Sequence, residues 1–264
     1  MSEVSSSQAR HARMWVGLAE PIDRQLSPLG LAAMDVLAPR EGETVLDIGC
    51  GTGQTVLQLA ERVGPQGCVV GVDISSAMLD VARSHATGLP NASFIEVDAT
   101  RLDLPSASVD AIYSRFGVMA FTDPPAAFAN LRRMLVPGGR LAFVSWRALN
   151  ENEIDHLPLR AAGLDNLVDP IPFSLEDPAH VTNLLTRTGF RDVAIRPLDE
   201  AVSAGDLEAS LAVLTGVGAL GRILRENPAL RAAAEPKVRV ALQARLDRGE
   251  IWLGAACWIV TARV

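Results

Sequence analysis

Alternating glycines stand directly after a short apolar run in the first quarter of the chain. The glycines are Gly49, Gly51 and Gly53. The run Thr44–Ile48 is a predicted strand that leads into them, and Gln54–Val63 follows with helical spacing. Glycine lets a chain turn tightly and lets its backbone approach a ligand closely. The next helix presents unpaired N–H groups at its N-terminus, which suit an anionic or polar ligand. The pattern predicts a ligand-binding turn between a strand and a helix.

The spacing of these glycines distinguishes two kinds of nucleotide site. A dinucleotide-binding turn requires the pattern Gly-x-Gly-x-x-Gly. Here the third glycine comes one residue early, at Gly53, and Gln54 stands where that pattern needs glycine. Asp47 also precedes the first glycine by two positions. A nucleotide-binding oxidoreductase stays an alternative, and Gln54 argues against it.

Two acidic residues end the next two predicted strands. Asp73 follows the second strand, where a carboxylate can accept hydrogen bonds from both hydroxyls of an adenosyl ribose. Asp98 closes the third strand, where it can bind an adenine amino group while the N–H of Ala99 reaches a ring nitrogen. Ile74 is placed to cover one face of the adenine. Capping or solvated loop positions are the alternative interpretation of both acids.

These motifs together resemble the class I S-adenosylmethionine-dependent methyltransferases. They are Asp47-x-Gly49-x-Gly51-x-Gly53, Asp73, Asp98-Ala99 and Leu135-Val136-Pro137-Gly138-Gly139. The nearest branch is that of ubiquinone and menaquinone C-methyltransferases, and the resemblance covers about residues 30–147. It implies S-adenosyl-L-methionine as cofactor and S-adenosyl-L-homocysteine as product. A protein that keeps the adenosyl pocket for other chemistry or for regulation stays open.

The resemblance also implies roles for individual residues. In this family the glycine turn holds the methionine moiety, the strand-two acid holds the ribose and the strand-three acid holds the adenine. The cofactor-binding residues expected here are Asp47, Gly49, Gly51, Gly53, Asp73, Ile74, Asp98 and Ala99.

Catalytic residues are less clearly marked. A general base is needed only if the acceptor must lose a proton, and its pKa should then lie near the working pH. The candidates are His11 in the N-terminal segment and His156 in a later, proline-rich stretch. Arg115 follows the fourth strand and is expected to face the acceptor or the cofactor carboxylate. The alternative is a solvated position for each histidine and a surface salt bridge for Arg115.

The elements that must position these residues alternate between strand and helix. Apolar strands separated by helices predict an α/β, Rossmann-like fold with a seven-stranded, mostly parallel sheet and helical lid insertions. Ile251–Val264 is a uniformly apolar run and predicts an internal, antiparallel last strand. Pro21 and Pro28 predict two short helices over residues 11–38. Residues 206–248 are expected to be helical, with interruptions at Pro228 and Pro236.

One domain is expected over residues 1–264. Within it we predict an N-terminal cap (1–28), a cofactor-binding core (29–147), a lid insertion (148–176) and a C-terminal half (177–264) with a helical insertion (203–248). The segments that would cover the strand tips carry many apolar residues and few charges. Their apolar residues are Trp15, Leu157, Leu159, Leu164, Ile171, Phe173, Leu214, Val217 and Leu220. They predict a small, lipophilic methyl acceptor.

Composition limits the partners. The net charge is −7, so a nucleic-acid substrate is disfavoured. The cysteines, Cys50, Cys68 and Cys257, are far apart, which predicts neither a disulfide framework nor a metal site. The polar N-terminus lacks the apolar region of a signal peptide, and no apolar stretch is long enough to span a membrane. A cytoplasmic location is therefore expected.

Overall fold

Strands and helices alternate along the first half of the chain in the computed structural model, which describes residues 13–264. The strands are β1 Thr44–Ile48, β2 Cys68–Asp73, β3 Ala92–Glu96, β4 Val109–Arg115, β5 Leu135–Trp146, β6 Arg191–Val202, β7 Leu246–Asp247, β8 Glu250–Ile251 and β9 Leu253–Arg263. The helices are α1 Ala19–Leu37, α2 Gln54–Val63, α3 Ser76–His85, α4 Pro124–Met134, α5 Glu153–Ala162, α6 Pro178–Arg187, α7 Leu207–Gly216, α8 Gly218–Glu226 and α9 Arg231–Gln243.

The main sheet has seven strands in the order β3-β2-β1-β4-β5-β9-β6. Strands β1 to β5 pair in parallel. Strand β9 runs antiparallel to β5, because the N–H of Val264 donates to Gly139 near the start of β5 while that of Arg147, just after it, donates to Ala256. The predicted fold, with its antiparallel and internal last strand, is confirmed.

Burial on both faces of the sheet explains why the sequence of the central strand, β1, is mostly apolar. Val45 and Leu46 of β1 are fully buried, and Ile48 is nearly so. Helix α2 buries Val56, Leu59, Ala60 and Val63, which recur at helical spacing and form one face. This packing fixes the direction in which the chain leaves β1, and therefore fixes the glycine turn between β1 and α2.

Three local expectations about proline and the last strand were wrong. Helix α1 is continuous through Pro28, and α9 is continuous through Pro236. A proline removes one backbone hydrogen bond, and the buried apolar face of α1 offsets that loss. The apolar run from Ile251 is also divided, because β8 pairs with β7 in a separate hairpin and the last strand begins at Leu253.

The chain forms two compact units that are discontinuous in sequence. The first comprises residues 29–145, 175–197 and 258–264, and it holds most of the parallel sheet with α2, α3, α4 and α6. The second comprises 146–174 and 198–257 with the described residues up to 28, and it holds α5, α7, α8 and α9. The single domain predicted over 1–264 stays a prediction.

Among the described residues, no single helix has the length and hydropathy to cross a bilayer. Helices α7 and α8 reach the required length and composition only as a pair, which is bent by 60°.

Candidate functional site

The glycine turn after β1 is built from left-handed residues. Gly49, Gly51 and Gly53 have φ values of 73°, 54° and 89°. A β-carbon on Gly49 would lie 2.6 Å from the Cα of Gly117, and one on Gly53 would lie 2.9 Å from the Cβ of Ala82. The two outer glycines are therefore required by close packing. Among residues 13–264, a β-carbon on Gly51 would approach only the sulfur of Met78, at 3.9 Å, so the middle of the turn is not packed against this part of the chain.

Asp73 lies against this turn at the end of β2. One carboxylate oxygen, Oδ2, accepts a hydrogen bond from the N–H of Gly51 at 2.9 Å, and Oδ1 accepts one from Ser75 at 2.9 Å. Burial raises the pKa of this carboxyl, and the backbone hydrogen bonds oppose that effect. Asp73 thus joins the glycine turn to the start of α3, where Ser75 is the N-cap and accepts a hydrogen bond from the N–H of Met78.

Asp47 is completely buried beneath the turn. Its Oδ2 accepts a short hydrogen bond from the hydroxyl of Thr55, and its Oδ1 has no hydrogen-bond partner within the described part of the chain. Burial raises the pKa of Asp47 to about 7. The hydroxyl of Thr55 and the charge of Arg115 oppose this rise, while the nearby charge of Asp73 adds to it. A buried carboxyl with an unpaired oxygen is costly, so a nearby positive charge would stabilise it.

The third strand ends beside the second, because the N–H of Val97 donates to the carbonyl of Asp73. Asp98 caps a short helical turn, and its Oδ1 accepts hydrogen bonds from the N–H and the hydroxyl of Thr100. These hydrogen bonds lower the pKa of Asp98. Ala99 is buried. Ile74 is 62% exposed, which is unusual for a large apolar side chain at the tip of a strand.

The loop after β4 crosses the end of β1. The hydroxyl of Ser114 donates to the carbonyl of Ile48 at 2.7 Å and accepts from the N–H of Gly117 at 3.1 Å. Phe116 has a φ of 61°, which is a strained conformation for an aromatic residue. Arg115 leaves this loop toward α2, where its Nη1 donates to Oε1 of Gln54 at 2.5 Å. The glycine turn, Asp73 and Arg115 therefore surround the same strand ends.

Two further catalytic candidates were predicted from the sequence, His11 and His156. His11 is outside the described residues. His156 lies on α5 in the second unit; burial lowers its pKa, and its Nδ1 has no hydrogen-bond partner among residues 13–264. His85, an exposed residue at the end of α3, forms a hydrogen bond through Nδ1 with the carbonyl of Thr52 in the glycine turn, at 3.1 Å.

Sequence reasoning also missed a buried acid in the second unit. Asp155 on α5 accepts a hydrogen bond from the N–H of Ala219 at 3.2 Å, at the start of α8. A β-carbon on Gly218 would lie 3.2 Å from its Oδ1. Burial raises the pKa of Asp155 to about 6. An acid directly before His156, in a proline-containing segment, gave no sequence signal of burial.

The apolar residues assigned to the lid are mostly used in packing. Five of them are buried, namely Leu159, Phe173, Leu214, Val217 and Leu220, whereas Ile171 is 53% exposed. A groove of about 440 Å³ in the second unit combines apolar residues such as Leu18 and Leu211 with the charged residues Glu208, Arg231 and Glu235. This mixed lining differs from the apolar pocket expected for the acceptor.

Metal chemistry has no candidate centre in this part of the chain. The described residues contain no group of three or more His, Cys, Asp or Glu side chains placed to hold a metal ion. The cysteines Cys50, Cys68 and Cys257 are all free.

Comparison with known sequences identifies relatives of the sheet region. Residues 45–139 match a family model described as a methyltransferase domain. Aklanonic acid methyltransferase DauC from Streptomyces sp. (strain C5) is 41% identical over 121 residues, covering 45% of this chain and 55% of that protein. The 2-phytyl-1,4-naphtoquinone methyltransferase of Thermosynechococcus vestitus is 37% identical over 114 residues, covering 43% of this chain and 51% of that protein. The chain spans about half the length of the curated relatives it matches.

Comparison of structures extends the likeness over most of the chain. A SAM dependent methyltransferase from Aquifex aeolicus matches with a TM-score of 0.55 at 19% identity, and the match covers 89% of each chain. At this identity the match establishes the fold alone.

Proposed function

We propose that this chain, whose residues 45–139 match a family model described as a methyltransferase domain, binds S-adenosyl-L-methionine and transfers its methyl group to a small lipophilic acceptor. The acceptor atom is carbon or oxygen. The observation that carries this proposal is the face of the glycine turn at Gly51, which the other described residues leave uncovered and whose N–H donates to Asp73. An ordinary structural turn needs neither that uncovered face nor a partly buried carboxylate that accepts from its middle N–H.

The residues present fit the cofactor in three respects. The exposed Ile74 supplies an apolar surface for an adenine ring directly after Asp73. The N-terminus of α2 has no side-chain cap, so its N–H groups are available to a polar ligand. The unpaired Oδ1 of buried Asp47 favours a ligand with positive charge, and the cofactor carries both an ammonium and a sulfonium.

Each residue then has a defined task. Gly49, Gly51 and Gly53 allow the backbone to approach the amino-acid end of the cofactor. Asp73 accepts hydrogen bonds from the ribose hydroxyls, and Asp98 with Ala99 recognises the adenine. When bound, the cofactor supplies an electrophilic methyl group. The protein contributes orientation, which is worth roughly 7–11 kcal/mol of the barrier in favourable cases.

The acceptor class is inferred from the relatives and from the sequence. One relative is named for aklanonic acid and the other for a naphthoquinone with a phytyl chain. A lipophilic acceptor also agrees with the net charge of −7, which disfavours nucleic acid. If the acceptor is acidic, His156 is the candidate base, because burial lowers its pKa and so favours the neutral imidazole. We place the protein in the cytoplasm, because its cysteines are unpaired.

The test has a binding stage and a turnover stage. S-adenosyl-L-homocysteine is titrated into the protein by calorimetry, and Asp73→Ala serves as the site variant. Mass spectrometry then measures S-adenosyl-L-homocysteine released in the presence of a panel of quinones, phenols and aromatic polyketide acids. Cofactor binding without turnover on any acceptor would leave the alternative of another chemistry or a regulatory role. Binding of a reduced nicotinamide dinucleotide instead, seen as a change in its fluorescence, would support an oxidoreductase and reject the proposal.

A further inference from the structure

Arg115 is a cation of the first unit that lies near the glycine turn, and its position is constrained from three sides. Arg115 ends β4, and the loop that follows it is fixed to β1 through Ser114 and Ile48. Its guanidinium donates to Gln54, the first residue of α2, at 2.5 Å. Its charge opposes the rise that burial causes in the pKa of Asp47. The guanidinium therefore stands at the strand ends and at the uncapped N-terminus of α2.

Helix α1 makes room for this side chain. Gly30 lies inside α1, where glycine is less favourable than alanine. A β-carbon there would lie 2.7 Å from Cδ of Arg115 and 2.9 Å from the hydroxyl of Tyr113. The hydroxyl of Tyr113 also donates to the carbonyl of Gly30 at 2.8 Å, which holds the helix against β4. The unfavourable glycine is thus explained by the space that the stem of Arg115 occupies.

We propose that Arg115, held by its hydrogen bond to Gln54, binds the carboxylate at the amino-acid end of the cofactor. It thereby selects ligands that retain this carboxylate. This inference rests on the proposed function, in which the amino-acid end lies over the glycine turn. Arginine presents a planar set of donors that matches a carboxylate, and the uncapped N–H groups of α2 add positive potential at the same place. Gln54 keeps the guanidinium oriented because its amide oxygen accepts one of the N–H groups.

A purely structural role for Arg115 makes a different prediction. If the guanidinium only balances the charge of Asp47, removing it would weaken every ligand of the turn equally. If it binds the ligand carboxylate, removing it would weaken only the ligands that possess one. The two roles are therefore separated by a pair of ligands that differ in the carboxylate alone.

The experiment compares S-adenosyl-L-homocysteine with its decarboxylated analogue, S-adenosyl-3-thiopropylamine, by calorimetry. Arg115→Met keeps the aliphatic stem against Gly30 and removes the charge. It should weaken S-adenosyl-L-homocysteine about 10- to 100-fold, the effect of losing one charged hydrogen-bonded pair, and change the analogue by less than about twofold. Arg62→Met is the matched control, because Arg62 lies at the other end of α2 and pairs with Asp35. It should change neither affinity.

Two further variants keep the test informative if Arg115→Met fails to fold. Arg115→Lys keeps the charge with a single donor group and should give a smaller loss that is still selective. Gly30→Ala leaves Arg115 in the sequence but displaces its stem, and it should also weaken S-adenosyl-L-homocysteine selectively. The ratio of the two dissociation constants in one sample does not depend on the fraction of folded protein. An unchanged ratio in Arg115→Met and Gly30→Ala overturns the inference, whereas failure of the unmodified protein to bind either ligand overturns the proposed function itself.

Discussion

Replacing Asp47 by asparagine is expected to stabilise the ligand-free protein at neutral and alkaline pH. The carboxyl is fully buried, one of its oxygens has no partner among the described residues, and burial raises its pKa from 3.8 to about 7. Because the folded-state pKa is higher than the unfolded one, the folded protein binds the proton more tightly. The stability that this group contributes is complete below about pH 4 and is lost as the pH rises through 7.

The size of the effect follows from the shift in pKa. A shift of about three pKa units corresponds to about 4 kcal/mol at 1.36 kcal/mol per unit. Asparagine keeps the shape and the hydrogen bond with Thr55 but cannot ionise. The gain from Asp47→Asn should therefore grow with pH, from little near pH 4 to several kcal/mol at pH 9. The new amide group has its own burial cost, which reduces the gain by a constant at every pH.

The assay is urea unfolding of the ligand-free protein and of Asp47→Asn at intervals from pH 4 to pH 9. The quantity compared is the difference in unfolding free energy between the two proteins, so that other titrating groups cancel. Asp103→Asn is the matched control, because it removes a carboxylate from an exposed position in the same unit. A difference between Asp47→Asn and the unmodified protein that stays constant across this pH range would refute the reasoning.

Three further predictions concern the turn and the second unit. Asp73→Ala should weaken S-adenosyl-L-homocysteine about 10-fold or more in calorimetry, because it removes the ribose acceptor and frees the N–H of Gly51; an unchanged affinity contradicts the assignment. Gly53→Ala should lower the unfolding free energy by at least roughly 1–2 kcal/mol, since it combines a left-handed φ with a contact of 2.9 Å to Ala82. Ala82→Gly should recover part of that loss, and no recovery in the double variant would show that the contact is unimportant. Asp155→Asn should raise stability above pH 6 and have little effect below pH 4, because burial raises the pKa of this acid to about 6; urea unfolding at pH 4 and pH 8 tests the sign.

Much of the sheet could be predicted from the sequence because its signals are local. Buried parallel strands read as short apolar runs, and the helices between them show one apolar face, so β1 and α2 were predicted with their observed limits. The glycine turn carried the resemblance to methyltransferases, which the family model over residues 45–139 confirms. The helix breaks predicted at proline were wrong for α1 and α9, because buried apolar faces outweigh the loss of a single hydrogen bond.

The sequence by itself determined which residues stand at the ends of the first three strands, because the succession of strands along the chain and the spacing of the glycines can be read directly from it. Only the tertiary structure decided the contacts among residues that are distant in sequence. The bond from Arg115 to Gln54 joins residues 61 positions apart, and Tyr113 reaches Gly30 across 83 positions. The shifted pKa values of Asp47 and Asp155 belong to the same class, because desolvation depends on every element that packs around a carboxyl and not on its neighbours in the sequence.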